Sequence, residues 1–579
     1  ESNSFCTLLQ EVSPFPPSSM RAVALTAFAV ALVAAVATAT PTKPVVSDAY
    51  TLPWSYLKEE NGQLSVVTSE ESSGRTVAKA QWNESLADLG WDYLNVEGSG
   101  DYNSGYLEGY LTAARIRLAG IPAAPSDAKV FQWVVDHLAY MKQMSEALRA
   151  TDKFWAVVGD QLSYLDGMAD GVNANTAART AGDKNVTSFE LFLINFGDEI
   201  GDVQTAVNVQ SGRTPKGFMQ SWKPSHCSAL IKVTHDDLYM AHDTWSGFEG
   251  MAYRMYKVYS FHGVTVSFSG HPAFMASGDD WYMTSNQLAI QETTNGVMNT
   301  TLFTAVVPHT VSEWLRVMAA TFLANDGETW TTYFARENSG TYNNQYMVVD
   351  FKVYSPGSTV APGTLWVAEQ LPGIVVRADQ SAVLREQGYW ASYNIPFYAE
   401  IYALSGYLQD YKIFGDFYSY TKYARPEIFH RNQANISDLA GMQRMMRYND
   451  YETDPFSRVT NCSGAPDGRC LTPQSSMLTI ASRGDLMPLY NTTEEMIQHY
   501  GPLYTFIAQG CFGAIDSKIA AWSNRHTQRA YVISGPTNDQ QPTFQWDAKS
   551  CAGIAAPRGT PTTVDYPWVE FNRVRDPIA

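Results

Sequence analysis

One thiol stands at a distinctive place in the sequence. Cys227 follows the polar, proline-bearing stretch "SWKPSH" and opens the first clean apolar alternation of a new region, "CSALIKV". A cysteine thiolate is a strong nucleophile, and a neighbouring base or cation activates it further. The alternative is a buried, inert thiol, because free cysteine is among the most buried residue types.

The other cysteines have candidate partners. Five cysteines remain when the one among the first few residues is set aside. Cys462 and Cys470 flank "SGAPDGR", a turn-forming stretch that could bring them together. Cys511 and Cys551 are the natural second pair, although sequence alone does not settle connectivity. In an oxidising compartment this pairing leaves Cys227 as the unpaired thiol.

An imidazole lies near this thiol in the predicted local structure. "CSALIKV" and "LYMAHDTW" alternate on either side of a turn at "THDD", which is typical of a β-hairpin. Counting back from the turn puts Cys227 and His242 roughly opposite each other on antiparallel strands. His242 could therefore support the thiol. The alternative is a histidine that only makes a hydrogen bond in a half-buried sheet.

The region 40–204 is predicted to be rich in helices. "SDAKVFQWVVDHLAYMKQMSEAL" places an apolar stripe on one helical face, and we expect His137 in that stripe to belong to the core. A second helix is predicted over Lys153–Met168. A third begins at "TSFELFLINF", where Thr187 and Glu190 have the spacing of a capping box.

Strands become more frequent after a linker. The stretch 205–226 is rich in Gly, Pro, Ser and Lys, which is typical of an exposed linker. Beyond it, strands are predicted at "VTVSFSG", "NQYMVVDFKVY" and "TLWVAEQLPGIVV". A helix is predicted at "TVSEWLRVMAATFLA", where Thr310 and Glu313 again have capping-box spacing.

Composition and charge exclude some classes of protein. The chain is 45% hydrophobic and 17% charged, so it is not of the disordered type. Lys and Arg number 40 against 58 Asp and Glu, a net charge of −18, and no basic cluster stands out. A nucleic acid is therefore not an expected partner, because its phosphates would be repelled.

The start of the sequence predicts secretion. From Met20, "MRAVALTAFAVALVAAVATAT" has the layout of a cleavable signal over 20–39, with a membrane anchor as the alternative. Residues 1–19 match neither a signal nor a domain. No later run reaches the roughly 18 apolar residues of a membrane span. Six N-x-[S/T] sequons suit surface positions on this route: Asn83, Asn185, Asn299, Asn435, Asn461 and Asn491.

Several stretches from the thiol onward occur in the order found in one protein family. They include "HCSALIKV", "AHDTWSGFEGM", "SGDDWYMTSNQLAIQETTN", "NSGTYNNQYMVVDFKVYSPG", "QGYWASYNIPFY" and "SGPTNDQQPTFQW". In these stretches the sequence resembles the phospholipase B-like proteins, lysosomal or secreted members of the N-terminal nucleophile hydrolases. Asp243 departs from the expected Asn. With Asp279, it is a candidate supporting carboxylate or a solvated acid at a strand end. The stretch from Cys227 to His242 is about two residues short, which a variable turn absorbs.

The resemblance implies an α+β fold, a four-layer αββα sandwich with antiparallel sheets. It also implies autocatalytic cleavage between His226 and Cys227, which makes 205–226 a linker or propeptide and 227–579 the catalytic chain. The implied activity is hydrolysis of acyl ester bonds in phospholipids, with membranes met only transiently as substrate. Two alternatives stay open: an amidase acting on N-acyl lipids or peptide-like amides, and a non-catalytic glycoprotein that binds lipid or protein.

The chemistry suits these residues. Cleavage would free the α-amino group of Cys227, with a reference pKa of about 7.7–8.0, to accept the thiol proton. The oxyanion that forms needs hydrogen-bond donors. Asn295 in "ETTN" and Asn343 or Asn344 in "TYNNQ" are candidates, because an amide donates without titrating; turn or sheet-end asparagines are the alternative. No metal or cofactor is expected, since neither H-E-x-x-H nor a Cys/His cluster occurs.

Overall fold

Two β-sheets form the framework of the chain. The computed structural model describes residues 44–214, 216–217, 227–459, 473–488, 503, 506–547, 551 and 554–572. Its strands are β1 Val45–Val46, β2 Ser55–Glu60, β3 Gln63–Val67, β4 Arg75–Asn83, β5 Asp92–Gly98, β6 Cys227–Val233, β7 Leu238–Gly247, β8 Met255–Phe261, β9 Val264–Gly270, β10 Trp281–Thr284, β11 Leu288–Thr294, β12 Asn344–Asp350, β13 Leu365–Leu371, β14 Ile374–Asp379, β15 Tyr389–Ser392, β16 Phe512–Ala514, β17 Asp516–Ala521, β18 Ala530–Ser534, β19 Phe544–Gln545, β20 Thr563–Val564 and β21 Val569–Phe571.

Helices lie before, between and after these strands. They are α1 Leu86–Leu89, α2 Tyr102–Ala119, α3 Ala128–Leu148, α4 Lys153–Ala174, α5 Ser188–Asn195, α6 Gly197–Gln210, α7 Glu313–Leu323, α8 Gly327–Phe334, α9 Ser381–Gln387, α10 Ala399–Ser405, α11 Tyr407–Phe414, α12 Ala424–Asn432 and α13 Leu439–Met446. Within the described ranges, none of them combines the length and the apolar character needed to cross a bilayer.

Most neighbouring strands run antiparallel. The eight-stranded sheet has the order β1-β21-β18-β17-β7-β6-β15, and β16 pairs with the end of β7. The eleven-stranded sheet has the order β14-β13-β12-β11-β10-β9-β8-β5-β4-β2-β3. Two pairs are parallel, β1 with β21 and β5 with β8. Both of these pairs join a strand before residue 205 to a strand after residue 226, so the two parts of the chain share their sheets.

Three hydrophobic cores stack the elements into layers. Successive strand side chains point to opposite faces, so Ile231 and Met240 enter a core between the two sheets while Leu230 and Ala241 enter the core under α10–α13. The outer face of the eleven-stranded sheet packs against α2–α8. The order is therefore helices, sheet, sheet, helices. The predicted α+β fold, a four-layer αββα sandwich, is confirmed.

The first part of the chain that the structure describes, residues 44–98, is mainly sheet rather than helix. Residues 44–98 supply β1–β5, so the prediction of a helix-rich region over 40–204 is wrong for this part. β2 and β3 lie at the edge of their sheet and carry exposed polar side chains, which weakens the apolar alternation by which a strand is recognised. In addition, α6 continues to Gln210, so the predicted linker over 205–226 begins inside a helix.

The helix predictions between residues 120 and 200 hold. α3 buries His137, whose Nδ1 lies 2.8 Å from the Pro308 carbonyl oxygen, and this confirms its place in the core. The predicted helix from Lys153 extends to Ala174 as α4. The capping box of Thr187 and Glu190 is present at the start of α5.

The second predicted capping box is absent. α7 begins at Glu313 with Ser312 before it, and the Thr310 hydroxyl instead donates to the Val307 carbonyl at 3.1 Å. The Glu313 carboxylate accepts a hydrogen bond from the Tyr346 hydroxyl inside the core. A carboxylate used there cannot reach back to cap its own helix.

Candidate active site around Cys227

Cys227 is the first residue of β6, which lies between β7 and β15. "CSALIKV" forms this strand over its whole length, as predicted. The turn closes through Thr234, whose backbone N–H donates to the Asp237 carbonyl at 2.9 Å. Ala229 and Ile231 face the core between the sheets. By alternation, the Cys227 side chain faces the same side.

The register of the hairpin differs from the predicted one by two residues. Thr244 lies opposite Cys227, and His242 lies opposite Ala229. The strands pair right up to a turn of only four residues, which the count from sequence placed differently. His242 is thus a diagonal neighbour of the thiol on the same face, not the residue across from it.

His242 connects the two sheets. Its Nε2 lies 2.8 Å from the Glu292 carbonyl oxygen, so Nε2 carries the proton and donates it. Its Nδ1 has no partner among the described residues. Burial, assisted by the charge of Lys518, lowers the pKa of His242 well below its ordinary value. The imidazole is therefore neutral and a weak base.

Asn394 and Arg425 hold the backbone of Cys227, and neither was predicted from the sequence. Asn394 follows β15 with a left-handed φ of 67°, a conformation that asparagine tolerates well. Its Oδ1 accepts from the Cys227 backbone N–H at 3.4 Å, while its Nδ2 donates to the Thr294 carbonyl at 2.7 Å. Arg425 donates to the Cys227 carbonyl and to Asn394 Oδ1, and its guanidinium lies 4.5 Å from the centre of the Trp245 ring.

A network of buried charges lies behind the strand opposite the thiol. Lys518 donates to Thr244 Oγ1 at 2.7 Å and pairs with Asp516 at 2.6 Å. Arg254 pairs with Asp279 at 2.8 Å and also contacts Asp516. Burial alone would raise the pKa of Asp279, but Arg254, His271 and Lys518 together outweigh it and lower that pKa. These charges are paired inside the protein, as buried charges must be.

Asp243 and Asp279 are both fully buried, so the interpretation as solvated acids at strand ends is wrong. Each lies where its sheet is covered on both faces, which local sequence does not reveal. Asp279 supports the charge network through Arg254. Asp243 faces away from Thr244 on β7, and burial raises its pKa well above the ordinary value. Asp243 therefore does not reach the face that carries the thiol.

Burial and two carboxyls near the thiol favour its protonated form. The Tyr342 hydroxyl lies 2.8 Å from Asp280 Oδ2 and 3.1 Å from Glu292 Oε1. Burial raises the pKa of Asp280 to about 6, and burial together with Asp280 raises that of Glu292 further. Burial and these two carboxyls raise the pKa of the Cys227 thiol well above its ordinary value, although a hydrogen bond from the Trp245 backbone opposes the rise. The thiol therefore needs an adjacent base.

A cavity of about 470 Å³ opens at Cys227. This volume is in the range that proteins use for small-molecule substrates. Part of its lining is aromatic: Tyr393, Tyr407, Phe417, Tyr418 and Tyr423. Another part is acidic: Asp198, Asp202 and Asp280. The cavity can therefore hold an apolar group and a polar group of one ligand next to the thiol.

The structure separates the candidate oxyanion donors. Asn295 and Asn343 line the cavity, whereas Asn344 does not. The Asn343 amide nitrogen donates to a backbone carbonyl at 3.0 Å, and that of Asn344 faces Glu313 at 3.4 Å. The Asn295 side-chain amide lies beside the Glu369 carboxyl, whose pKa burial raises to about 7 while Asn295 weakly opposes the rise. Among the three, Asn295 best combines contact with the cavity and an amide that no backbone group occupies.

The structure contains the predicted disulfide between Cys511 and Cys551 and leaves Cys227 free and buried. Of the sequons, Asn185 and Asn435 are exposed, while Asn83 and Asn299 are half-buried. The following predictions lie outside the described residues: the signal over 20–39, His226, the pair Cys462 and Cys470, and the sequons at Asn461 and Asn491.

The chain matches the family described as phospholipase B over residues 78–571. The chain belongs to this family. Phospholipase B-like protein B of Dictyostelium discoideum is 34% identical over 528 residues, which cover 86% of each chain. Human phospholipase B-like 1 is 32% identical over 542 residues, which cover 88% of this chain and 89% of the relative. Phospholipase-B 81 of Drysdalia coronoides is 32% identical over 510 residues, 81% of this chain and 84% of the relative.

The phospholipase B match runs from β4 to the end of β21. It therefore covers β4 and β5 of the eleven-stranded sheet before Cys227 and strands of both sheets after it, so it includes the region before the thiol that resembles the family less distinctly in sequence. Asn394 lies in "QGYWASYNIPFY", one of the stretches that resemble the family, so the sequence contained a sign that this residue belongs to the site. Arg425 stands in "YARPEIF", where a charge among apolar residues was the only sign.

Proposed function

We propose that this protein is an acyl hydrolase whose nucleophile is Cys227, freed as a chain terminus by cleavage of the His226–Cys227 bond. One observation carries the proposal: at the start of β6, the thiol, its backbone nitrogen facing Asn394 Oδ1, and the cavity coincide. The relatives named phospholipase B-like make a lipid acyl ester the expected substrate.

Each step of the reaction has a group to perform it. The free α-amino group takes the proton from the Cys227 sulfur, and the thiolate attacks the acyl carbon. The Asn295 amide donates to the resulting oxyanion. The C–O bond then breaks, the leaving alcohol takes a proton from the ammonium, and a thioester remains. A water molecule, deprotonated by the same amine, attacks the thioester, which releases the acid and restores the thiol.

The surroundings favour an amine as the base. The pKa of the thiol is raised, and His242 is a weak base, so neither side chain supplies a thiolate by itself. An α-amino group has a reference pKa of about 7.7–8.0, which suits proton exchange near neutral pH. Asn394 Oδ1 can accept one amine hydrogen and so orient the lone pair toward the sulfur. Arg425 fixes the carbonyl of the same residue.

N-terminal sequencing of the purified mature protein tests the proposal. We expect one chain to begin at Cys227. Cys227→Ala should give a single uncut chain without activity, and Cys227→Ser should be cut slowly or not at all. Normal two-chain material from the alanine variant would contradict the mechanism. An intact, active wild-type chain would leave the non-catalytic binding glycoprotein as the better account.

A substrate panel decides the bond that is cleaved. The panel contains acyl esters and acyl amides of one chain length, offered at the same concentration to the mature protein and to Cys227→Ala. Preference for the ester supports a lipid esterase. Preference for the amide supports an amidase working through the same thioester, with an amine as the leaving group.

We also propose that the protein follows the secretory route, to the lysosome or out of the cell. The disulfide between Cys511 and Cys551 supports this route, because such bonds persist in oxidising compartments. The signal layout over 20–39 and the exposed sequons at Asn185 and Asn435 agree with it.

A further inference from the structure

The polar lining of the cavity is mainly acidic. Asp198, Asp202 and Asp280 line it, and Arg425 is the one Lys or Arg among the described lining residues. Arg425 is fully buried and already donates to the Cys227 carbonyl and to Asn394 Oδ1. Its two terminal nitrogens are thus taken by protein oxygens, and its buried Nε is the one guanidinium nitrogen without a partner among the described residues.

Asp198 is the acid most open to a ligand. It lies at the start of α6, surrounded by protein but accessible to solvent through the cavity that it lines. It forms no ion pair with a described residue. Burial and the neighbouring Asp280 and Asp279 raise the pKa of Asp198 to about 7, which a cation beside it would reverse. Asp202 already accepts from the Tyr342 backbone N–H at 2.9 Å, so it is less available.

A buried acceptor independently points to a ligand that donates. Asn343 lines the same cavity and is 2% exposed. Its Nδ2 donates to the Gly340 carbonyl, while its Oδ1 has no partner among the described residues. A buried acceptor without a partner costs free energy until a donor fills the place. An amine or ammonium group is such a donor.

We propose that the acidic part of this cavity binds a positively charged group of the substrate, so that acyl compounds with a cationic leaving group are hydrolysed in preference to neutral or anionic ones. This inference rests on the proposed hydrolase and names its substrate class. The aromatic part of the lining takes the acyl chain, and its rings also attract a quaternary ammonium. A phosphate held next to the scissile bond is disfavoured, because the acids would repel it.

Matched esters test the preference. We would compare octanoyl esters of 3-(dimethylamino)propan-1-ol, whose protonated amine can donate a hydrogen bond, of its neutral isostere 4-methylpentan-1-ol and of 3-hydroxypropanesulfonate, at about pH 8, where ordinary carboxyls are ionised. We expect kcat/KM to be about tenfold higher for the cationic ester than for the neutral one, since one partly screened charge pair is worth roughly that factor. The anionic ester should be slowest. Equal rates for the cationic and neutral esters would overturn the inference.

Two variants assign the effect to the cavity. Asp198→Asn should reduce the preference of the cationic over the neutral ester about threefold to tenfold. Asp136→Asn is the matched control, because Asp136 makes the same change of charge on the exposed face of α3, outside the cavity lining. An unchanged preference in Asp198→Asn, or an equal loss in Asp136→Asn, would contradict the assignment.

A binding measurement separates this inference from the proposed function. Titration calorimetry of the mature protein would use n-octylammonium and n-octyl sulfate, neither of which the proposed reaction can cleave. Tighter binding of the ammonium, weakened in Asp198→Asn, supports a cation site even if no ester is hydrolysed. Equal binding of both amphiphiles overturns the inference even if the hydrolase activity is established.

Discussion

The position of the thiol depends on contacts made by residues far away in the chain. Asn394 lies 167 residues from Cys227, and Arg425 lies 198 residues from it. Each makes more than one contact. Asn394 forms hydrogen bonds with the first residue of β6 and the last residue of β11, and the Arg425 guanidinium also packs on the Trp245 ring. Together they fix the Cys227 backbone, which the proposed reaction requires.

Replacing Asn394 by Ala should slow the reaction more than it weakens substrate binding. The variant removes the acceptor that orients the amine, and we expect kcat to fall about tenfold to hundredfold with KM changed less than threefold, as for other groups that act on proton transfer. Steady-state kinetics on a soluble acyl ester measures this. Asn538→Ala, at a partly exposed asparagine outside the cavity lining, is the control. A change confined to KM would show that Asn394 serves binding instead.

Individual site residues can be predicted from the sequence only where the signal is local or lies in a family motif. Cys227 was recognisable because the other cysteines have candidate disulfide partners and because a polar stretch directly precedes its strand. Asn295 was recognisable as an amide within a motif. Arg425 was not, because its partners come from other elements and no spacing along the chain records them. His242 lay on the right face, but a register error of two residues follows from a turn whose length sequence does not fix.

At the scale of elements, pattern strength decided which predictions held. β6 and β9 alternate cleanly and were predicted over their whole lengths. β2 and β3 lie at a sheet edge, where polar residues on the open side hide the period. The capping box at α5 is present, whereas the one expected at α7 is absent, because the Glu313 carboxylate accepts a hydrogen bond from Tyr346 in the core. Local sequence indicates where an element begins or ends, but tertiary contacts can shift that boundary.

The local structure around each sequon predicts which of them carry glycans. We expect glycans at Asn185 and Asn435, which are exposed, and little or none at Asn299. The Asn299 Nδ2, the atom that would carry the sugar, donates to the Leu404 carbonyl at 3.0 Å, and its Oδ1 accepts from Thr301 at the start of a short helix. Mass spectrometry of tryptic glycopeptides from secreted protein measures the occupancy of each site. Full occupancy at Asn299 would mean that this helix start opens before folding is complete.

At the scale of the whole molecule, buried acids make stability depend on pH. Burial raises the pKa of Glu199 and of Glu369 to about 7. In the unfolded chain a glutamate has a pKa of about 4.3. A raised pKa in the folded state means that folding favours the protonated form. The stabilisation is therefore complete below about pH 4 and is lost as the pH rises to about 7.

We accordingly expect the melting temperature to fall between about pH 5 and pH 7. Differential scanning calorimetry of the purified protein across this range measures it. Glu199→Gln mimics the neutral acid and should flatten the curve, whereas Glu190→Gln, at the half-buried start of α5, should leave the slope unchanged. A melting temperature that rises over this interval would contradict the assignment of these carboxyls as neutral.

Cleavage at Cys227 should leave two polypeptides in one particle. β5 lies before the cut and pairs along its length with β8, and β1 pairs with β21. We expect both pieces to elute together in gel filtration and to separate on a non-reducing denaturing gel, because the described disulfide lies wholly after the cut. Recovery of the later piece alone in a folded, active form would show that the shared sheets are dispensable.

With the proposed cleavage, the parallel pairing of β5 with β8 would also make folding irreversible. Before the cut, the strands belong to one chain, and their meeting is a matter of closing a loop, whose entropy cost grows only slowly with length. Once the bond is broken, denatured fragments diffuse apart and must find each other again from solution. The newly made precursor should therefore regain its shape after dilution from denaturant, while the mature particle, once melted, should be lost for good.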